Sequence, residues 1–285
     1  MIFLVEMKKN LKFYLKGKLS DKELQLVPSS FDVVGDILIF SDFPKELAKK
    51  ENLIGNTILK NYRHIKTILK KTKKYSGKFR TPKLKVIAGE KRKETTYREN
   101  NILLKLDIEK VYFSPRMSSE RKRIADLIKP NEYVSVMFSG SGVYPLVIAK
   151  NSECEEVYGI EVNPIANKYA LENIKKNKLE NKIKLFLGDV KKIMPKLNKR
   201  FDRILMPLPK GGENFLGIAL GYIKKSGTIH FYDFLHEDEF YKAEEKVKQA
   251  CSKWKKKCKI LRVVKCGQYS PGFYRVCVDF EVNFL

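Results

Sequence analysis

Phe138–Lys150 reads FSGSGVYPLVIAK. The run before it, EYVSVM, is strand-like, and its second half reads as helix. Two glycines one residue apart therefore lie between a strand and a helix. There the chain turns sharply and can bring backbone N–H groups against a ligand. The loop is G-S-G-V-Y-P, so the G-x-G-x-x-G dinucleotide fingerprint is not met. No G-K-[ST] follows, so it is not a P-loop either.

Working outward, the next strand, VYGIEVNP, ends in Glu161, 19 residues after Gly142. A third, IKLFLGDV, ends in Asp189, and a fourth, DRILMPLPK, ends in a proline-rich turn. All four features lie at the carboxyl ends of successive strands, where open α/β sheets bind ligands. The set is similar to that of methyltransferases that use S-adenosylmethionine. The resemblance implies that Glu161 takes the ribose hydroxyls, that Asp189 accepts the adenine amino group, and that the turn adjoins the reacting centre. The expected cofactor-binding residues are Phe138, Gly140, Gly142, Glu161, Asp189 and Pro207. Such enzymes often carry an acid two residues before the loop aromatic. Here that position is Val136, which leaves the methionine ammonium to loop carbonyls or to another acid.

Residues 116–285 alternate strand and helix, which predicts a mostly parallel sheet covered on both faces. Only QYSPG separates KILRVVKCG from YRVCVDFEV, so a hairpin makes the last strand antiparallel. The fold class is α/β: a Rossmann-like methyltransferase domain at 116–285, preceded by a smaller α+β RNA-binding domain at 28–115. The smaller domain opens with SSFDVVGDILIF, a buried strand pair or bulged strand around Gly35. PKELAKKENLIGNTILKNY reads as helix; KLKVIAG, NILLKLDIE and KVYFSP read as strands. Ile65, Ile68 and Leu69 fit one buried helical stripe over residues 61–74. Residues 1–27 form a short basic lead, strand-like at first, then a brief helix around Asp21–Leu26.

Fifty-eight Lys plus Arg stand against 33 Asp plus Glu, a net charge of +25. A surplus of that size favours a polyanionic partner, because each phosphate neutralised releases counterions. From Lys60 to Asn100 there are fifteen Lys/Arg and three Glu, with Tyr62, Tyr75 and Phe79 interleaved. That pattern suits stacked bases beside phosphates. The five cysteines are odd in number and form no C-x-x-C pair, and the three histidines are dispersed. This argues for a reducing compartment, the cytoplasm, and against a metal site. No apolar run is long enough to span a membrane.

FDVVGDI, SGKFR, VIAGEKRKETTYREN, KVYFSPRMSSERKRI, FSGSG, IEVNP, GDV and MPLPK together resemble the Rossmann-fold tRNA guanosine-37 N1-methyltransferases of archaea and eukaryotes. The resemblance runs from about residue 28 to the C-terminus. It implies tRNA as partner, a middle domain that helps bind it, and a catalytic domain that receives the flipped base; a monomer is expected. Fuller members have a further N-terminal domain, expected here to be reduced or missing. One archaeal branch also methylates the tricyclic wyosine precursor, and a cousin transfers an aminocarboxypropyl group instead. Many members read N-L-P-K where this chain has P-L-P-K from Pro207, which points to the wyosine-linked branch.

Methylating guanine N1 requires a base for its proton and a cation to hold charge on O6. Motif matching puts these roles on Glu120, in SSERKR, and Arg80, in SGKFR. The alternatives are a helix carboxylate paired with Arg123 or Arg116, and one more phosphate contact. Pro207, Leu208, Pro209 and Lys210 are expected to wall the purine, with Pro209 at the catalytic centre. Tyr112 and Phe113 either stack on the flipped base or belong to the core. Arg116, Arg121, Lys122 and Arg123 are expected on tRNA phosphates, together with Lys210. The donor's sulfonium is already activated, so no metal is called for. Two rivals stand beside this reading: aminocarboxypropyl transfer, and a tRNA-binding module that has lost catalysis.

Overall fold

The computed structural model describes residues 11–284. The strand-like opening expected at residues 1–10 lies outside them. The chain divides into two compact units: one runs to Arg98 and takes in Leu103–Pro115, and the other is Glu99–Ile102 with Arg116 onward.

In the first unit, β1 (Phe31–Val34) and β2 (Ile37–Phe40) form a tight antiparallel pair around Gly35. Gly35 has φ +59°, and a Cβ there would lie 2.3 Å from the Thr96 carbonyl oxygen, so only glycine fits the turn. The Glu51–Asn61 helix crosses to β3 (Thr67–Ser76), which runs parallel to β2 and antiparallel to β4 (Thr81–Gly89). Leu11, Leu15, Leu19 and Val27 share one core with Phe31, Leu38, Ile54 and Ile68, so the described part of the N-terminal lead is packed, not separate. β5 (Glu94–Glu99) and β6 (Ile102–Asp107) make a two-stranded ribbon.

Two local expectations fail here. Residues 67–74 are strand, not helix: Lys70 and Lys71 pair across to Lys85 and Leu84 on β4. The apolar spacing at 65, 68 and 69 fits a helix equally well, and pairing with two neighbouring strands decides the matter. The second is Lys110–Ser114, which forms no strand before the short 3-10 turn Pro115–Met117.

In the second unit, seven strands follow the order β12-β13-β11-β10-β7-β8-β9. They are β7 (Tyr133–Met137), β8 (Glu156–Glu161), β9 (Ile183–Leu187), β10 (Phe201–Met206), β11 (Ile223–His236), β12 (Lys256–Ser270) and β13 (Phe273–Phe284). The five from β7 to β11 are parallel, while β13 enters antiparallel between β11 and β12. Both faces of the central strands are buried, which is why they read as continuous apolar runs. Met137, Ile160, Ile204, Phe231 and Phe280 are fully buried in this core, each contributing about 1.5–3 kcal/mol by area. The β7/β8 and β7/β10 junctions put the loops after three strands on one edge. No helix among the described residues is long and apolar enough to cross a membrane.

Candidate active site

The loop after β7 is wound by three positive φ angles: Phe138 (+62°), Gly140 (+58°) and Gly142 (+83°). Gly142 precedes the Val143–Asn151 helix, and a Cβ on it would come within 3.1 Å of the Ala170 Cβ. Glycine is thus required both by the backbone and by the close approach of the Pro164–Asn177 helix. Ser139 N–H donates to the Ile160 carbonyl at 2.9 Å, which ties the loop to β8. The Ser139 and Ser141 side-chain oxygens are buried with no hydrogen-bond partner among the described residues.

Glu161 gathers three loops. Its Oε2 accepts from Gly140 N–H and its Oε1 from Asn163 N–H, both at 2.7 Å. Its backbone carbonyl takes Gly188 N–H at 2.8 Å, from the loop after β9. The side chain is buried, and burial raises its pKa above the ordinary 4.5 despite these donors. These donors do not exhaust its roughly four acceptor positions, so the carboxylate can still accept a ribose hydroxyl. The donor set thus fits an adenosine-bearing cofactor. Asp189 is exposed and caps the Val190–Ile193 helix, Oδ1 accepting Lys191 N–H at 2.8 Å. Val136 is fully buried within β7, so its side chain belongs to the core and not to the loop. Phe138 packs edge-on against Phe215, ring centres 4.9 Å apart. Beyond β10, Leu208 N–H turns back on the Met206 carbonyl at 2.7 Å, leaving Pro209 buried and Lys210 exposed.

Glu120 lies on the Ser118–Asp126 helix and is 4% exposed. Its Oε1 accepts the Tyr232 hydroxyl at 2.6 Å and Arg123 Nη2 at 2.7 Å; its Oε2 accepts Arg123 Nε at 2.7 Å. Three donors on a group with about four acceptor positions leave one position open, on Oε2. Tyr232 in turn accepts from the Tyr144 hydroxyl at 3.2 Å, on the helix that begins at the glycine loop. Tyr232 is also one residue past Phe231, the partner of Met206 at the end of β10. Glu120 thus stands at the carboxyl edge, between the cofactor loop and the proline turn.

Arg123 bridges onward to Asp279, with Nη1 2.6 Å from Oδ2. Asp279 Oδ1 is 2.6 Å from His230 Nδ1, and Arg203 Nη1 is 2.8 Å from His230 Nε2. A guanidinium only donates, so Nε2 accepts and Nδ1–H donates to Asp279. That makes His230 neutral, in keeping with a pKa lowered chiefly by burial. Arg203 continues to Glu132 at 2.8 and 2.9 Å. His230, Cys277 and Asp279 offer ligand atoms within 4.8 Å of one another. Two guanidiniums already occupy that cluster's polar atoms, however, and would repel a metal cation.

Two residues expected on phosphates are engaged within this unit. Arg121 is 3% exposed, with Nε on Glu99 and Nη2 2.5 Å from its other oxygen. Arg123 is held between Glu120 and Asp279. Each is held by a carboxylate distant in sequence, Glu99 for Arg121 and Asp279 for Arg123. Arg116 is exposed, and Lys122 pairs with Asp126. In the first unit, Tyr112 meets Tyr75 edge-on at 5.2 Å, and Phe113 is buried against Tyr97. Arg80, φ +50°, sits in the turn between β3 and β4. Tyr232, His230 and Asp279 escaped notice in the sequence. The available signal was polar residues two apart inside apolar strands, GTIHFYDF and YRVCVDFEV, where each polar side chain must find a buried partner.

A model of the TRM5/TYW2 methyltransferase domain matches residues 95–261. The chain belongs to this family. A model of the TYW2 N-terminal domain matches residues 11–92. The tRNA (guanine(37)-N(1))-methyltransferase Trm5b of Pyrococcus abyssi is 39% identical over 91% of this chain and 77% of its own length. The tRNA (guanine(37)-N(1))/4-demethylwyosine(37)-methyltransferase Taw22 of Nanoarchaeum equitans is 37% identical over 77% of this chain and 88% of its own. Among solved structures, aTrm5 in complex with tRNALeu superposes with a TM-score of 0.85, at 31% identity, over 96% of this chain and 78% of that one. TYW2 of Methanocaldococcus jannaschii in complex with AdoMet gives 0.69 at 27% identity, over 90% and 100%. The α/β fold read from the glycine loop is the fold of this family, and S-adenosylmethionine is its cofactor.

Proposed function

We propose that this protein transfers the methyl group of S-adenosylmethionine to N1 of guanosine 37 in tRNA. The observation that carries the reading is Glu120: a buried carboxylate with one open acceptor position, fixed at the same sheet edge as the Glu161-tied loop. Glu161 would hold the ribose hydroxyls, Asp189 Oδ2 the adenine amino group, and Phe138, Gly140, Gly142 and Pro207 the rest of the cofactor. When bound, that cofactor supplies a methyl group on a positively charged sulfur, a ready leaving group.

The chain's own task is to place the purine and take its proton. Glu120 accepts the N1 proton through Oε2, which leaves N1 a lone pair for the methyl carbon. Arg80 is the proposed cation for O6, where negative charge gathers as N1 loses its proton. Pro207, Leu208 and Pro209 form a wall with little freedom to lose, so the attacking atom is held in line. Tyr112, Arg116 and Lys210 are the proposed tRNA contacts, the cytoplasm is the proposed compartment, and the net charge of +25 supports a polyanionic partner.

A second reading adds the wyosine precursor as acceptor. It is favoured by the match of residues 11–92 to the TYW2 N-terminal domain and by the doubly active relative from Nanoarchaeum equitans. One experiment separates the readings. Unmodified tRNA transcript, and tRNA carrying 4-demethylwyosine, are incubated with the protein and S-adenosylmethionine, then digested to nucleosides for mass analysis. The first reading predicts 1-methylguanosine from the transcript. A methylated tricycle from the second tRNA adds the second activity, and an aminocarboxypropyl adduct would replace it.

A further inference from the structure

β11 pairs with β10 only as far as Phe231, opposite Met206, but continues to His236. Those five extra residues carry it about 16 Å beyond the end of β10, at about 3.3 Å per residue. β13 and β12 accompany it, with Phe234 opposite Arg275 and His236 opposite Phe273. The projection closes through Pro271 and Gly272, whose φ of +73° suits a tight turn. The result is a three-stranded ribbon rising from the edge that carries the proposed site.

Side chains two apart on a strand share a face. Tyr232, the donor to Glu120, therefore begins a line that runs outward through Phe234 to His236. Around it are grouped the Arg275 guanidinium, 5.0 Å from the Phe234 ring centre, and the Tyr269 ring, 4.5 Å from it and tilted by 39°. Phe273 lies 5.3 Å from the His236 ring. Tyr269 is 60% exposed and Phe273 44%. Single exposed rings are ordinary on a protein surface. Two of them, joined to a half-buried Phe and a guanidinium in a row that starts at the donor to the proposed base, are a different case.

We propose that this face is a stacking ledge for the unpaired anticodon-loop nucleotides next to the target guanosine. Extruding a purine leaves its neighbours without a stacking partner. Aromatic rings and guanidinium planes replace that partner for bases in single-stranded RNA, with little regard to sequence. Arg275 adds a positive charge for the phosphates between them. The inference rests on the tRNA reading above, and it assigns the RNA-facing role to the ribbon in place of Arg121 and Arg123, which are spent internally.

The test uses the full chain and a fluorescein-labelled anticodon stem–loop RNA carrying guanosine 37, with affinity read by anisotropy. Tyr269→Ala and Phe273→Ala are each expected to weaken binding about tenfold, and the double variant more. Tyr269→Phe retains wild-type RNA affinity, and S-adenosylmethionine affinity by calorimetry stays unchanged in all of them. A double variant that binds the stem–loop as tightly as wild type overturns the ledge, as does a Tyr269→Phe variant no better than Tyr269→Ala. Because RNA binding is read without turnover, failure of the methyl-transfer reading shows separately, as a wild type that binds the stem–loop but leaves it unmethylated.

Discussion

Glu120→Gln lowers kcat for tRNA methylation by a factor of about 10²–10³ and leaves cofactor and tRNA affinity nearly unchanged. The amide keeps the shape of the carboxylate and can still accept the Tyr232 hydroxyl and one Arg123 N–H. It cannot take the N1 proton. Arg123 loses one of two carboxylates but keeps Asp279, so the helix stays docked. Single-turnover rates under saturating tRNA, beside calorimetric cofactor binding, separate the effects. Unchanged turnover would remove Glu120 from its role, and a fall in affinity equal to the fall in rate would make it a packing residue.

Asp279→Ala destabilises the protein by about 1–3 kcal/mol, the cost of leaving buried donors without their acceptor. The groups left without their acceptor are Arg123 Nη1, whose guanidinium keeps Glu120, and the His230 Nδ1–H. Burial alone would raise the Asp279 pKa, but His230 and Arg123 outweigh it and hold the carboxyl well below its usual 3.8. A depressed acid stabilises the fold above its unfolded pKa, and that contribution is lost as pH falls through the folded value. The carboxyl's own share of the gap between wild type and variant is therefore full above about pH 4 and is lost in stronger acid. His230 acts at higher pH. Its lowered pKa means that the unfolded chain binds the proton first, so wild-type stability already declines below the ordinary histidine value of 6.5. Urea melts across pH check both signs. Arg123 joins this network to Glu120, so the same variant also loosens the proposed base.

The glycine loop and its tie to Glu161 were legible because their parts are local: glycines that the turn demands, an acid at a strand end, a fixed order along the chain. The same holds for the final hairpin, where QYSPG leaves no room for a crossover helix. The network behind Glu120 was not legible, because its partners are far apart in sequence. Tyr232 lies 112 residues from Glu120, and Asp279 lies 156 from Arg123. Helical spacing announces the Glu120 pairing of Arg123, but nothing near Arg121 announces Glu99 and nothing near Arg123 announces Asp279. β3 was misread for a related reason. Lys70 and Lys85 flank one another and share the buried Glu51, a tertiary arrangement that helical periodicity cannot reveal.

The most direct test is a crystal structure with S-adenosylhomocysteine and an anticodon stem–loop. The account predicts the ribose hydroxyls on Glu161, guanosine 37 turned out of the loop, and its N1 within hydrogen-bond distance of Glu120 Oε2. Nucleoside bound away from Glu161, or a purine N1 facing some other group while Glu120 remains closed within its own ion pairs, would contradict it.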